Sequence, residues 1–175
     1  MTNDDRPWEM ISGHTANSEC LFLSKLAEGR RVLEIGTHHG KATSALASTA
    51  LSVVTIDTYK GDAQIGAPSL EDAKMNLRRF SNVKIVVGDW RSQNIDPDDY
   101  SLIFYDGCHT EEGEFLGVLL SYFGSLAIHD YKRKEPAMSH VVESVDRYAK
   151  ATGRSALPGA GSIVWFVGSD WGFVI

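Results

Sequence analysis

The sequence predicts an α/β protein with a doubly wound, Rossmann-like sheet that is mostly parallel and carries one antiparallel strand near the C-terminus. Short apolar runs rich in β-branched residues alternate with segments of helical periodicity, which is typical of βαβ units. The apolar runs are nearly continuous, as expected for strands that helices cover on both faces. The segment ALPGAGSIVWFVG at 156–168 is too short for a crossover helix, so it predicts a hairpin and an antiparallel strand.

Size and composition indicate a single domain over residues 1–175. The chain is 43% hydrophobic and 23% charged, with a net charge of -6 and a pI of about 5.5. This charge disfavours nucleic acid or an anionic membrane as a partner. No apolar run approaches the roughly 20 residues of a membrane span, and the polar start MTNDDRPWEM does not resemble a signal peptide. Cys20 and Cys108 offer neither a disulfide framework nor zinc spacing, so we expect a reduced, cytoplasmic protein.

The predicted elements follow in order along the chain. The strands are expected at Arg30–Gly36, Leu51–Asp57, Val83–Asp89, Ser101–Asp106, Ser125–Asp130 and in SIVWFVG at 162–168. The helices are expected at 17–28, in KATSALAST at 41–49, in SLEDAKMNLRRF at 69–80, at Glu111–Phe123 and at Ser139–Ala149. Ser69 is a suitable N-cap, and Glu71 and Asp72 in the first turn favour the helix dipole.

Five of the predicted strands terminate in acids. They are Glu34, Asp57, Asp89, Asp106 and Asp130. Ligands bind at the carboxyl ends of the strands in open parallel sheets. A single acid there is commonly a helix N-cap, whereas five at one edge would repel one another. The set therefore favours a site for ligand hydroxyls and amines or for a cation.

The loop EIGTHHGKAT connects the first strand to the following helix. Gly36 and Gly40 lie where the backbone must turn tightly and approach a ligand. His38 occupies the place of a second glycine, so the loop is not GxGxxG, and it lacks the GK[ST] of a phosphate-binding loop. Asp57 ends the next strand 21 residues after Gly36, where a carboxylate suits a ribose diol. A dinucleotide-binding fold would share that acid.

The ordered segments VLEIGTHHGKAT, VVTIDTY, VVGDWRS, FYDGCHTEEG and LAIHDY resemble class I S-adenosylmethionine-dependent methyltransferases. Within that class they are similar to the branch of catechol, caffeoyl-CoA and macrolide-sugar O-methyltransferases. The resemblance covers a cofactor-binding core at about 30–167. It implies S-adenosylmethionine as cofactor and a hydroxylated small molecule as methyl acceptor.

The resemblance also implies roles for individual residues. Its cofactor-binding set is Glu34, Gly36, Thr37, His38, Gly40, Asp57, Thr58, Asp89, Trp90 and Asp106. The first-strand loop would line the methionine half of the cofactor, and Asp57 would hold the ribose hydroxyls. Asp89 would accept the adenine amino group, with Trp90 beside the ring. Trp90 as an ordinary packing residue at the rim is the alternative.

In the metal-dependent part of that family, an aspartate after strand four and an acidic pair after strand five bind a divalent cation. Asp106 and Asp130 match two of the three positions, and Tyr131 stands at the third, where a neutral phenol is a poor Mg²⁺ ligand. Mg²⁺ needs only one or two carboxylates besides water and substrate oxygens. It therefore remains an implied second cofactor.

Asp106 and His109 are the catalytic residues that we expect. His109 follows Asp106 by three residues, and histidine can deprotonate an acceptor hydroxyl near neutral pH or orient metal-bound groups. A histidine that packs at a helix start is the alternative. Cys108 is interpreted as a small residue at a buried edge, His129 as a structural residue and His140 as a surface residue.

Two other classes of function stay open. One is a binding module that keeps the cofactor fold without turnover, and the other is a nucleotide-dependent oxidoreductase. For the acceptor pocket, the loop Thr58–Ser69 is long enough to be a lid. The basic run at 132–134 either contacts an acidic acceptor or is a solvated loop. A homodimer in which a second copy completes the pocket is an alternative to a monomer.

Overall fold

The computed structural model describes residues 6–61, 69–107, 124–132, 134 and 139–168. Its strands are β1 Arg31–Ile35, β2 Ser52–Asp57, β3 Val83–Val87, β4 Leu102–Tyr105, β5 Ser125–Ile128, β6 Leu157–Pro158 and β7 Val164–Phe166. These strands form one sheet in the order β3-β2-β1-β4-β5-β7-β6. Strands β1 to β5 pair in parallel, and β7 is antiparallel to β5 and to β6. The doubly wound sheet with a C-terminal hairpin is therefore confirmed.

The described helices follow the predicted alternation. They are α1 Asn17–Ala27, α2 Lys41–Ala47, α3 Leu70–Leu77 and α4 Ser139–Thr152, with 3₁₀ turns at Pro7–Met10, Trp90–Ser92 and Pro97–Asp99. Ser69 caps α3 as expected, because its hydroxyl accepts a hydrogen bond from the Asp72 backbone N–H at 3.2 Å. The helix predicted at Glu111–Phe123 lies outside the described residues. No described helix is both long enough and apolar enough to cross a membrane.

The two faces of the sheet are covered by different helices. Leu33 and Ile103 belong to a core cluster that includes Val145 of α4, whereas their neighbours in the strands, such as Val32, pack in a second cluster with Leu23 of α1 and residues of α2. Successive side chains of a strand point to opposite faces. This alternation explains the near-continuous apolar runs. It also determines which of the two helix layers each side chain after β4 and β5 faces.

The order of the strands locates the crevice of the sheet. β1 pairs with β2 on one side and with β4 on the other. The strand order therefore runs outward from β1 in one direction to β3 and in the other direction through β4 and β5, so it reverses beside β1. The carboxyl ends of these three strands and of β5 meet at one edge, which is where open α/β sheets bind ligands. The predicted site residues that the structure describes lie at or directly beneath this edge or follow β3.

Candidate functional site

The loop after β1 is pressed against the end of β4. Gly36 has a φ of +98°, and a Cβ atom on it would lie 2.6 Å from the carbonyl carbon of Asp106. Gly40, with a φ of +85°, directly precedes α2 and packs so closely on Leu77 that a Cβ atom would lie 2.9 Å from its Cγ. Both glycines are therefore required by a left-handed backbone and by close approach. The predicted tight turn is present, and it brings the loop to Asp106.

Asp57 at the end of β2 interlocks with this loop. Its Oδ2 accepts a hydrogen bond from the His38 backbone N–H at 2.8 Å, and its Oδ1 accepts one from the Tyr59 backbone N–H at 2.7 Å. His38 and Tyr59 both have positive φ angles, 50° and 54°. A carboxylate has about four lone-pair positions, so Asp57 keeps acceptor capacity at the edge. Thr58 is exposed beside it.

Glu34 lies beneath the loop instead of at the end of a strand. It is the fourth of five residues in β1 and is 0% exposed, because the alternation of the strand turns it toward α2. The hydroxyl of Thr43 donates to its Oε2 at 2.5 Å. Burial raises the pKa of Glu34 to about 8, although hydrogen bonds from Thr43 and Thr55 lower it. Thr37, also buried, shares a 2.6 Å hydrogen bond with Thr55.

Three histidine rings lie together over this part of the edge. The ring centroids of His14 and His38 are 5.6 Å apart, and those of His38 and His39 are 4.2 Å apart. Burial and the two neighbouring histidines lower the pKa of His38. The side chain of His38 is therefore an uncharged ring at the loop at neutral pH.

The acid after β3 is engaged by its own neighbour. Arg91 donates to both oxygens of the Asp89 carboxylate, from Nε at 2.9 Å to Oδ1 and from Nη2 at 2.5 Å to Oδ2. These hydrogen bonds lower the pKa of Asp89. Trp90 is half-buried and packs against the core on the α4 side of the sheet. Trp90 therefore has the packing role that was its alternative interpretation.

The ends of β4 and β5 bring Asp106 and Asp130 to one histidine. The Nδ1 atom of His129 lies 3.0 Å from Asp106 Oδ1 and 3.4 Å from Asp130 Oδ1. His129 follows β5 on the same face as Ala127 and is 4% exposed. The alternation of β5 carries the His129 ring toward α1 and between the two carboxylates, and the structural role expected of His129 stays a prediction.

Glu19 of α1 holds the other side of that ring. Its Oε2 lies 3.2 Å from His129 Nε2 and accepts a hydrogen bond from the Ala16 backbone N–H at 2.8 Å. Its Oε1 accepts hydrogen bonds from the backbone N–H of Ser162 at 2.7 Å and from the Ser162 hydroxyl at 3.0 Å. Although burial opposes it, these donors lower the pKa of Glu19 to about 2. Glu19 was not among the predicted site residues.

Charge compensation keeps His129 protonated when nothing else binds the cluster. Burial lowers its pKa, but Asp106, Asp130 and Glu19 together raise that pKa well above the ordinary value. Asp130 adopts a φ of 60°, and Lys132 Nζ also lies 3.2 Å from its Oδ1. The carboxylates of Asp106, Asp130 and Glu19 thus surround the ring of His129. These four side chains are called the hub.

Other predicted residues are elsewhere or outside the described part of the chain. The hydroxyl of Tyr131 donates to Asp146 of α4 at 3.0 Å, so it does not point to the third ligand position. His140 is half-buried in α4 with its Nε2 shielded from solvent, which corrects its interpretation as a surface residue. Cys108, His109 and most of the loop at 58–69 lie outside the described residues, as does position 133 of the basic run.

The fold is shared with solved methyltransferase structures. An O-methyltransferase from Bacillus cereus in complex with SAH superposes with a TM-score of 0.64 at 19% identity, over 94% of this chain and 87% of that one. The O-methyltransferase TomG from Streptomyces achromogenes, involved in tomaymycin synthesis and solved with SAM, gives 0.60 at 19% identity, over 89% and 82%. A tRNA methyltransferase, TrmI from Aquifex aeolicus, gives 0.60 at 19% identity, over 78% and 54%.

These similarities show that the chain has the fold of class I S-adenosylmethionine-dependent methyltransferases, as the sequence motifs predicted. The neighbours include enzymes of different substrate classes, so the fold alone does not choose the acceptor. No protein-family model and no curated protein matches the sequence. What the chain does therefore has to be argued from the residues at the edge of its sheet.

Proposed function

We propose that this chain transfers the methyl group of S-adenosylmethionine to a hydroxyl group of a small molecule. The observation that carries the proposal is the contact between Gly36 and the Asp106 backbone at the crevice of the sheet. It places a loop suited to the cofactor, tied to Asp57, directly against the cluster of Asp106, His129 and Asp130. A methyl donor on the loop and an acceptor at the cluster would then be neighbours, which transfer requires.

The cofactor would lie along the ends of β1 and β2. Asp57, whose two oxygens are already oriented by backbone N–H groups, would accept the two ribose hydroxyls. The methionine half would run over the loop from Gly36 to Gly40, beneath which Glu34 is held by Thr43. Asp89 would have to share its oxygens between Arg91 and the adenine amino group.

Methyl transfer requires little covalent chemistry from the protein. The acceptor oxygen attacks the sulfonium methyl, a C–O bond forms as the C–S bond breaks, and S-adenosylhomocysteine leaves neutral at sulfur. The proton of the hydroxyl must go to a base, and His109, three residues after Asp106, remains the predicted one. The carboxylate of Asp106 would orient the acceptor or its bound ion next to the methyl group.

Two of the three metal-ligand positions that the resemblance implies hold residues that suit a divalent cation. Asp106 and Asp130 supply two converging carboxylates, with oxygens within 4.8 Å of each other and of the His129 ring. Tyr131 does not supply the third ligand, because its hydroxyl donates to Asp146. A cation held there would favour the anionic form of the acceptor hydroxyl.

The charge of the molecule favours a small acceptor over RNA. The net charge is -6, and the acidic hub lies at the edge where an acceptor would bind. Phosphate backbones need a basic surface. The tRNA methyltransferase among the similar folds makes RNA the comparison that an assay should include.

The first experiment is calorimetric binding of S-adenosylhomocysteine to the wild type, Asp57→Ala and Asp98→Ala. Asp98 is an exposed acid in the turn before β4, at the opposite edge of the sheet, so it is the matched control. We expect micromolar binding that Asp57→Ala abolishes and Asp98→Ala retains, with unchanged thermal unfolding. Preferential binding of NAD would favour the oxidoreductase, and binding of neither ligand would contradict the proposal.

Turnover is tested separately with purified protein and S-adenosylmethionine. Production of S-adenosylhomocysteine is measured with catechols, hydroxylated sugars and bulk tRNA as acceptors. We expect turnover with a hydroxylated small molecule and none with tRNA. Tight cofactor binding without turnover on any acceptor would favour the non-catalytic binding module.

A further inference from the structure

The cluster of Asp106, His129 and Asp130 has a ring nitrogen where two carboxylates converge. His129 Nδ1 is shielded from solvent and, among the described residues, makes no aligned hydrogen bond, although both carboxylates are within ion-pair distance. One ligand atom from each of the three residues lies within 4.8 Å of the others. A buried nitrogen of this kind, facing two acids, becomes a metal ligand when a bound ion displaces its proton.

Glu19 fixes which nitrogen of His129 carries a hydrogen in the neutral ring. Because Glu19 Oε2 lies 3.2 Å from Nε2, the N–H belongs at Nε2 and the lone pair of Nδ1 faces Asp106 and Asp130. Histidines that bind metals commonly donate their second N–H to a carboxylate in this way. Glu19 is itself held by Ser162 and by the start of α1, so the ring has little freedom to turn.

The distances in the cluster suit a shared ion. Imidazole nitrogens and carboxylate oxygens bind first-row metals at about 2.0–2.2 Å, which puts two ligands of one ion about 2.9–3.5 Å apart for angles between roughly 90° and 110°. The separations of 3.0 Å and 3.4 Å from Nδ1 to the two carboxylates fall in that range. Lys132 also contacts Asp130 Oδ1, and its 35% exposed side chain can withdraw into solvent when an ion binds.

We propose that Asp106, His129 and Asp130 bind a divalent transition-metal ion such as Mn²⁺, Co²⁺ or Zn²⁺ in preference to Mg²⁺, with Glu19 positioning His129. His129 thus takes the place of the third ligand that Tyr131 does not supply. Imidazole nitrogen is a good ligand for transition metals, whereas Mg²⁺ requires oxygen ligands in near-ideal octahedral geometry. The role of this ion in catalysis rests on the proposed methyl transfer, because the ion would lie where the acceptor hydroxyl would bind.

The test is direct metal binding to the whole chain after treatment with a chelator. Affinities for Mn²⁺ and Mg²⁺ are measured by calorimetry, and pulsed EPR of the Mn²⁺ complex detects a directly coordinated nitrogen. We expect Mn²⁺ to bind at least about tenfold more tightly than Mg²⁺, with one coupled nitrogen. The nitrogen signal does not depend on cofactor binding or turnover.

Three variants assign the signal to these residues. His129→Asn should remove the nitrogen coupling, and Asp130→Asn should weaken Mn²⁺ binding while the coupling persists. Glu19→Gln keeps an acceptor for Nε2 but loses its charge, and we expect it to weaken Mn²⁺ binding about 10–100-fold. Circular dichroism establishes that each variant is folded.

Two controls separate this site from the rest of the edge. Asp57→Ala should lose S-adenosylhomocysteine and retain Mn²⁺, so failure of the cofactor proposal and failure of the metal proposal are distinguishable. His39→Asn removes one of the three stacked histidines, which are a second place for a transition ion, and should leave the EPR signal unchanged.

Any of three results overturns the proposal. Equal affinity for Mg²⁺ and Mn²⁺ without nitrogen coupling would mean an oxygen-only site. Absence of binding by both ions in the folded wild type would mean that the His129 ring alone compensates the charge of the two carboxylates. A nitrogen signal lost in His39→Asn and retained in His129→Asn would assign it to the histidine stack instead.

Discussion

Glu34 and Glu19 are both buried on the side of the sheet that α1 and α2 cover, yet their environments favour opposite charge states. Glu34 is 0% exposed and Glu19 is 4% exposed. Among the residues that the structure describes, only hydroxyl groups donate to Glu34, and burial raises its pKa to about 8. Glu19 receives two backbone N–H groups and faces the His129 ring, and its pKa falls to about 2.

The difference teaches that burial alone does not decide the charge of a carboxyl group. Removal from water raises the pKa of both glutamates, and the number and charge of the donors determine whether this is reversed. Glu34, beneath the loop after β1, is therefore uncharged near neutral pH. The hub around His129 is charged, and it is the region for which we propose a cation.

The largest expected effect tests the neutral side of this comparison with Glu34→Gln. In the wild type the unfolded state loses its proton near the ordinary pKa of 4.5 and the folded state near 8, so stability falls as the pH rises from about 5 to 8. The shift corresponds to about 5 kcal/mol. Denaturant unfolding at several pH values should show this slope, and Glu34→Gln should flatten it. An equal slope in both proteins would contradict a neutral Glu34.

The second effect tests the charged side with Glu19→Gln. Because the folded pKa is lowered to about 2 from 4.5, the carboxylate stabilises the fold above about pH 4.5, and this contribution is lost as the pH falls toward 2. We expect a loss on the order of 2 to 3 kcal/mol at pH 7. The difference between wild type and variant in denaturant unfolding should shrink as the pH is lowered. A constant difference would indicate that packing and not charge is lost.

The smallest expected difference, between Gly36→Ala and its control Gly153→Ala, probes the junction between the two regions. Both glycines have positive φ, but a Cβ at Gly153 meets nothing within 4 Å, whereas at Gly36 it meets the Asp106 backbone. The left-handed conformation costs roughly 1–2 kcal/mol in each variant, and the clash should add about 1–3 kcal/mol at Gly36 alone. Denaturant midpoints measure the difference. Equal losses would mean that the junction yields without cost.

The sequence predicts the parts of this molecule that depend on local patterns. Apolar runs and helical periodicity located β1 to β5 and the described helices to within a few residues, and the glycines at 36 and 40 predicted the tight turn after β1. These features depend on backbone geometry, which residue type and spacing constrain directly. The loop is held by backbone N–H groups of His38 and Tyr59, so its geometry does not depend on distant side chains.

The cluster around His129 was predicted only in part. Asp106 and Asp130 were found at strand ends, but His129 and Glu19 were missed as their partners, because these two are 110 residues apart and no local pattern links them. The alternation of side chains along β5 was the signal from which the direction of the His129 ring, toward α1, could have been predicted. The pairing of Asp89 with Arg91 was missed for a related reason, since it depends on side-chain rotamers and not on spacing.

The hydrogen bonds from Ser162 to Glu19 join residues 143 positions apart, from the first helix to the hairpin between β6 and β7. A chain that emerges from the ribosome in order can therefore assemble β1 to β4 before the Ser162 donors for Glu19 exist. Contacts of such long sequence separation form late, because loop closure must precede them. We expect the hub to be the last part of the edge to mature, so that a nascent chain forms the loop after β1 before the His129 ring is ordered between its carboxylates.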